Sequence, residues 1–369
     1  MTTHPLIQLS HLPAILRLCA KHKITPFFLS NPGIGKTQQV EAYARAEKAE
    51  LMVMVASLLD RTDFQFPMLD KERCTVRFVP LEEMRHLSVE HNPEGGAVII
   101  YWNEFNSAPE SLHPVLYRVI NERKLGTLTL RDNVLQVADG NPTAASSVAQ
   151  ELPAPAKRRF QWFVLRADFE EWMTWAGQER IHPLVTSFIQ SHPQCLSDFD
   201  PAQVEAITYS SPAGYERLSK GLEEVLQWPA TLAQAWFCGA VGQSAGMQFH
   251  AYMSQKHKVD GILKNLRDPK STPLPKERDL LYLLCALLIS HAAYSVTEGH
   301  NVDKTNELLK SVAILAGRIL QESREHGVYL IKSLRQNPDT TEFFDASEAH
   351  QILVDIIIAD PQLYEAIFG

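Results

Sequence analysis

Over roughly the first 166 residues the apolar positions fall into short blocks separated by stretches of helical period. The blocks lie at 26–29, 51–56, 97–101, 134–138 and 160–165, and a leading helix is predicted at 12–22. Alternation of this kind predicts an α/β fold around a parallel five-stranded sheet. The block at 97–101 is apolar almost without interruption, as in a strand buried on both faces. The segment 126–137 reads differently. Thr127 to Leu130 alternates, Arg131-Asp132-Asn133 is a turn, and Val134 to Val137 alternates again, which predicts a β-hairpin whose second half runs into the fourth strand of the sheet. After about Ala167 the strand signals stop and helical periods run to about Gly261. Pro269, Pro273 and Pro275 with neighbouring charges mark 264–279 as a linker. Beyond it, Leu308, Val312, Leu315 and Ile319 recur at helix spacing, a pattern of ordinary core packing. The predicted organisation is an α/β domain over 1–166, a helical domain over 167–263 and a C-terminal helical region over 276–369.

The chemistry concentrates where the first block ends. Ser30-Asn31-Pro32-Gly33-Ile34-Gly35-Lys36-Thr37 follows a strand and opens a helical stretch at 37–48. Strand, glycine-rich turn, Lys-Thr and helix is the arrangement that wraps a nucleoside triphosphate. Backbone N–H groups of Asn31, Pro32's neighbours, Gly33, Ile34 and Gly35 and of the helix start would face the phosphates. Lys36 would reach the β and γ oxygens, and Thr37 would ligate Mg²⁺. The first position, usually Gly, is Ser30.

Such a site needs acid at the end of another apolar strand. Val98-Ile99-Ile100-Tyr101-Trp102-Asn103-Glu104 is the candidate. Glu104 stands where the water-activating base belongs. Asn103 occupies the position of the Mg²⁺-supporting Asp: it keeps the shape and one acceptor oxygen but loses the charge, which predicts weaker Mg²⁺ organisation and slower hydrolysis. Asn141, after the fourth block, would reach the γ-phosphate or the attacking water. Arg159, in Lys157-Arg158-Arg159-Phe160, would complete a neighbouring subunit's site as an arginine finger.

Composition narrows the partners. The 369 residues are 45% hydrophobic and 21% charged, ordinary for a globular protein. A net charge of −8 argues against broad attraction to nucleic acid or anionic membrane. Five scattered cysteines without a CxxC suggest neither a disulfide framework nor a zinc site. With no apolar leader at the start, the expected location is the cytoplasm. The longest apolar run, 280–289, is half the length of a membrane span and is expected to be the buried face of a helix. His250 and His257 are set seven apart without a third ligand, and Trp172 and Trp175 read as core.

Together these residues resemble the MoxR-like branch of the AAA+ ATPases. Asn31 to Thr37 is similar to its Walker A, and Asn103-Glu104-Phe105-Asn106-Ser107-Ala108-Pro109 to its Walker B, normally with Asp first. Segment 127–137 resembles the pre-sensor insertion, Gly140-Asn141-Pro142 sensor 1, and Arg159-Phe160 the arginine-finger motif. Ser57 to Asp63 resembles the start of the helix-2 insertion, without the glycine expected shortly after. Glu170-Glu171-Trp172 and Ile181-His182-Pro183 resemble lid segments, and Ser210 to Arg217 resembles the sensor 2 helix start, with Ala213 in place of Arg. The resemblance implies a P-loop domain followed by a helical lid, ATP and Mg²⁺ as cofactors, and a homo-oligomer, commonly a hexameric ring, with ATP at each subunit boundary. It further implies a protein client and, in many relatives, a partner with a von Willebrand factor A domain. Asn103 and Ala213 support a second expectation: an ATP-binding scaffold or regulatory subunit with little hydrolysis. A nucleic-acid-associated AAA+ protein is a third, against which the acidic charge weighs.

Overall fold

A computed structural model describes residues 4–145, 149–199, 207–264, 266, 268–297, 302–338, 340–341, 347–358 and 361–368. The strands in chain order are β1 (Leu6–Ile7), β2 (Pro26–Leu29), β3 (Glu50–Val55), β4 (Gln65–Asp70), β5 (Thr75–Pro80), β6 (Val98–Asn103), β7 (Lys124–Leu125), β8 (Leu128–Thr129), β9 (Val134–Gly140) and β10 (Gln161–Leu165). The main sheet is parallel, in the order β1-β10-β2-β9-β6-β3. Its five longer strands are the five apolar blocks, and the two-residue β1 adds an edge beside β10. Counted in chain order, those five lie 5-1-4-3-2, so the strand of the glycine-rich turn sits in the interior with β9 beside it. This is the α/β P-loop arrangement of an AAA+ core.

The sheet is covered on both faces, as parallel strands require. Helix α1 (Leu12–His22) and helix α2 (Lys36–Ala46) lie on one face, where Leu16, Val40, Tyr43 and Ala44 pack with Phe28, Ile99, Tyr101 and Val137. The other face buries Phe27, Val98, Ile100 and Trp102 with Phe105, Leu116 and Val119. The period-2 split of β6 between these two cores is why its sequence is apolar throughout.

The segment 126–137 differs from its expectation. The antiparallel partner of β8 is β7, turning at Gly126 with φ +64°, and not β9, while β9 joins the main sheet between β2 and β6 as the fourth block was expected to. Arg131 decides this. Its guanidinium is buried against the Gly96 carbonyl, its N–H bonds the Leu87 carbonyl, and Arg123 takes the carbonyls of Arg131 and Val134. The 131–133 stretch is thereby anchored to the main domain and is not a hairpin turn. The hairpin that sequence pattern did not flag is β4–β5, closed by Cys74 in the left-handed region at φ 49° where glycine is customary.

The chain divides into two compact units, the first ending at Asp168 and the second taking up the chain from Phe169. The second unit is helical. Its helices from Phe169–Gln178 to Pro361–Phe368 share one core, in which Trp172, Phe188, Tyr215, Phe249, Leu284, Val312, Leu330 and Leu353 meet. The helix Arg278–Thr297 is long and apolar enough by composition to cross a membrane, yet each residue from 280 to 289 is buried inside this core. Val312, Leu315 and Ile319 are likewise fully buried, with Leu308 packed against them. Trp172 is buried and Trp175 packs against the same core. His250 and His257 fall on different helices, Gln243–Ser254 and His257–Lys264. All five cysteines are free.

Candidate nucleotide site

The site lies at the carboxyl ends of β2, β6 and β9, where an open parallel sheet presents its loops to a ligand. The turn after β2 is built on two glycines in the left-handed region, Gly33 at φ 79° and Gly35 at φ 104°. Gly35 is the residue before α2, so the first N–H groups of an eleven-residue helix open onto the turn. Ile34 is buried and anchors the turn's apex in the core.

Lys36 does not point to solvent. Its side chain is 8% exposed; Nζ donates to Ser30 Oγ at 2.6 Å and lies 3.5 Å from Asp139 Oδ2. The departure at position 30 thus has a structural use, since the hydroxyl caps the ammonium, and glycine has none to offer. Burial pulls the Lys36 ammonium below its ordinary range, with Asp139 opposing, and burial pushes the Asp139 carboxyl up against the pull of Lys36 and the Glu104 N–H. Desolvation therefore weakens both charges, and each stays in place through the other.

Asp139 was not singled out by sequence reading, and it is the hub of the site. Besides facing Lys36, its Oδ1 accepts the backbone N–H of Glu104 at 2.7 Å. Glu104 holds φ 54°, ψ 41°, a left-handed conformation uncommon for a residue with a Cβ. It ends β6 and starts the turn Phe105–Ser107, and its Oε2 accepts from Ser57 Oγ at 3.2 Å. Asn103 Nδ2 donates to Thr37 Oγ1 and to Tyr101 Oη, each at 3.4 Å. The Tyr101 phenol is pushed well up by burial and by the nearby Asp139 charge.

Asn141 is fixed through Asn106. Asn106 Oδ1 accepts the Asn141 N–H at 3.2 Å and Asn106 Nδ2 donates to the Asn141 carbonyl at 2.8 Å. Gly140 leaves room for this clasp: a Cβ there would meet Asn106 Oδ1 at 2.3 Å and Phe27 Cζ at 2.8 Å. The Ser30 N–H donates to the Gly140 carbonyl at 3.3 Å, tying the glycine-rich turn to the strand that carries Asn141. Lys36, Thr37, Asn103 and Glu104 are therefore joined by hydrogen bonds and an ion pair through Asp139, Tyr101 and Ser30, while Asn141, clasped by Asn106, follows Gly140, whose carbonyl the Ser30 N–H holds. The signal for Asp139 is present in the sequence, as the one ionisable residue of the strand 134–140, two residues before Asn141.

Arg159 stands apart from this network. It precedes β10, half-buried, with its guanidinium 5.2 Å from the centre of the Tyr117 ring. Ala213 and Arg217 belong to the helix Pro212–Lys220 of the second unit, which Ser211 caps through the Gly214 N–H.

The donor set fits a nucleoside triphosphate with Mg²⁺: left-handed glycines before a helix N-terminus, a buried ammonium, a threonine hydroxyl and carboxylates from two neighbouring strands. No family model matches the chain. Among curated proteins none is significantly similar. Solved structures resembling it include a point mutant of Thermotoga maritima RuvB, at 13% identity over 92% of this chain and 93% of that one with a TM-score of 0.36. The Thermotoga maritima RuvB described as a Holliday junction branch migration motor gives 10% identity, 92% and 93% coverage and a TM-score of 0.32. Likenesses of this size decide nothing about substrate or partner.

Proposed function

We propose that this chain is an AAA+ ATPase of the MoxR-like kind, binding Mg²⁺-ATP and coupling its hydrolysis to the remodelling or assembly of a protein client. What supports the reading is the set of bonds that links Lys36, Thr37 and Glu104 through Asp139, Tyr101 and Asn103 beside a turn of two left-handed glycines, with Asn141 at the end of the strand that carries Asp139. Lys36 binds the β and γ oxygens, and Thr37, with Asn103, holds the metal's shell. Mg²⁺ supplies charge neutralisation on the phosphates when bound. Glu104 takes the proton of the attacking water, and its left-handed backbone turns the carboxylate off the end of β6. Asn141 positions that water or senses the γ-phosphate. Arg159 acts in trans in a ring, commonly of six subunits, and a von Willebrand factor A domain protein is a fitting partner. A cytoplasmic setting agrees with five unpaired thiols.

The amide at 103 favours a second reading: a nucleotide-dependent scaffold that turns over slowly. Steady-state hydrolysis over a range of protein concentrations, beside Glu104→Gln, separates the two. Turnover that climbs with concentration and disappears in the variant supports the motor. Binding without turnover supports the scaffold. Absence of ATP binding refutes both.

A further inference from the structure

We infer that Asp139 supplies the carboxylate that position 103 lacks, so that the acid serving Lys36 and Mg²⁺ has moved one strand across, from β6 to β9. The inference rests on the nucleotide reading above and names a positioning residue within that site.

Register carries the first part of the argument. Trp102 pairs with Ala138 across β6 and β9, so Asn103 and Asp139 are the next residues on neighbouring parallel strands and share a face of the sheet. Strands in a sheet stand about 4.8 Å apart. Because β9 lies between β6 and β2, the move brings the acid one strand closer to the strand of the glycine-rich turn. Asp139 is 2% exposed, and its two oxygens reach the two groups the chemistry needs: Oδ2 the Lys36 ammonium, Oδ1 the backbone of Glu104. One carboxylate thus fixes both the phosphate-binding lysine and the base.

The amide at 103 completes the exchange. Its Nδ2 donates to the hydroxyls of Thr37 and Tyr101, which a carboxylate cannot do. Two carboxylates at 103 and 139 would stand side by side with Lys36 as the one cation paired to them among the described residues, and like charges so placed cannot both ionise cheaply. Acid at 139 and amide at 103 are therefore a matched pair.

The test is calorimetric titration of the full chain with ATP, with Mg²⁺ and with chelator, for the parent, Asp139→Asn, Asn103→Asp and the double exchange, together with thermal melting without nucleotide. Asp139→Asn is expected to lose about tenfold of the Mg²⁺-dependent gain in affinity, and the double exchange to regain it. A variant that keeps the full gain, or that loses affinity equally with and without Mg²⁺ and is not rescued by the exchange, overturns the assignment and leaves Asp139 a structural counter-ion. Should Asp139→Asn fail to fold, Asn103→Asp decides: a lower melting temperature with no added Mg²⁺ dependence supports the exchange, and a tenfold gain overturns it. A parent that binds ATP under neither condition refutes the nucleotide reading itself, a result distinct from any of these.

Discussion

At Lys36 the chain keeps an ammonium buried at 8% exposure with one hydroxyl and one carboxylate as partners. A buried charge is tolerable only while those partners remain. Ser30→Gly restores the residue usual at that position but removes the 2.6 Å acceptor, and should lower the stability of the nucleotide-free protein by roughly 1.5–3 kcal/mol, read by denaturant unfolding. An unchanged midpoint would mean that water replaces the hydroxyl without loss. Gly140→Ala drives a methyl into Asn106 and Phe27 and should cost about 1–3 kcal/mol while displacing Asn141. Glu104→Gln keeps the bond from its backbone N–H to Asp139, so it should bind ATP as the parent does while turnover falls roughly 10²–10⁴-fold; equal losses in binding and turnover would count against a base at 104.

At the scale of elements, the sequence pattern located the five main strands to within a residue or two, because each is a short, mainly apolar run, and β2, β6 and β9 in the middle of the sheet are buried almost throughout. It paired 127–130 with the wrong neighbour, since alternation marks a strand and not its partner. The pairing there was settled by Arg131 and Arg123, whose guanidinium contacts are with carbonyls up to 35 residues away in sequence. The β4–β5 hairpin escaped for the opposite reason. Phe66, Met68, Leu69, Val76 and Phe78 are all about half exposed or more, so the hairpin lacks the one-sided burial that makes alternation visible. Polar replacement of Phe66 or Phe78 should accordingly shift stability by no more than about 0.5 kcal/mol, whereas Leu284→Ala, fully buried in the helical core, should cost about 2–5 kcal/mol. Comparable losses at both places would contradict the exposure of the hairpin.

For the whole molecule, two units with separate cores respond to different solution variables. In the helical unit His326 is buried with Nε2 donating to the Arg278 carbonyl at 3.0 Å and Nδ1 accepting from Ser323 Oγ at 2.6 Å, the neutral tautomer. Burial holds it below the usual 6.5, with the Arg278 charge acting in the same sense and the Arg278 carbonyl, Glu325 and Asp279 opposing. A folded pKa below the unfolded one means that this stability is present above about 6.5 and is lost as pH falls through the folded value. Melting between about pH 8 and pH 5 should therefore show the helical unit weakening on the acid side, and His326→Gln should flatten that slope. A slope identical in the variant would assign the acid sensitivity to other groups.

The order of apolar blocks, the glycine-rich turn with Lys36 and Thr37, and the acid at the end of the 98–103 strand were determined by the sequence alone, because local periodicity and short motifs are written in neighbouring residues. Which strand stands beside which, and so which acid faces Lys36, was decided only by the tertiary structure. Asp139 and Asn103 are 36 positions apart in the chain and neighbours across β6 and β9. Their exchange of charge is a property of the sheet's order, which no window of sequence contains.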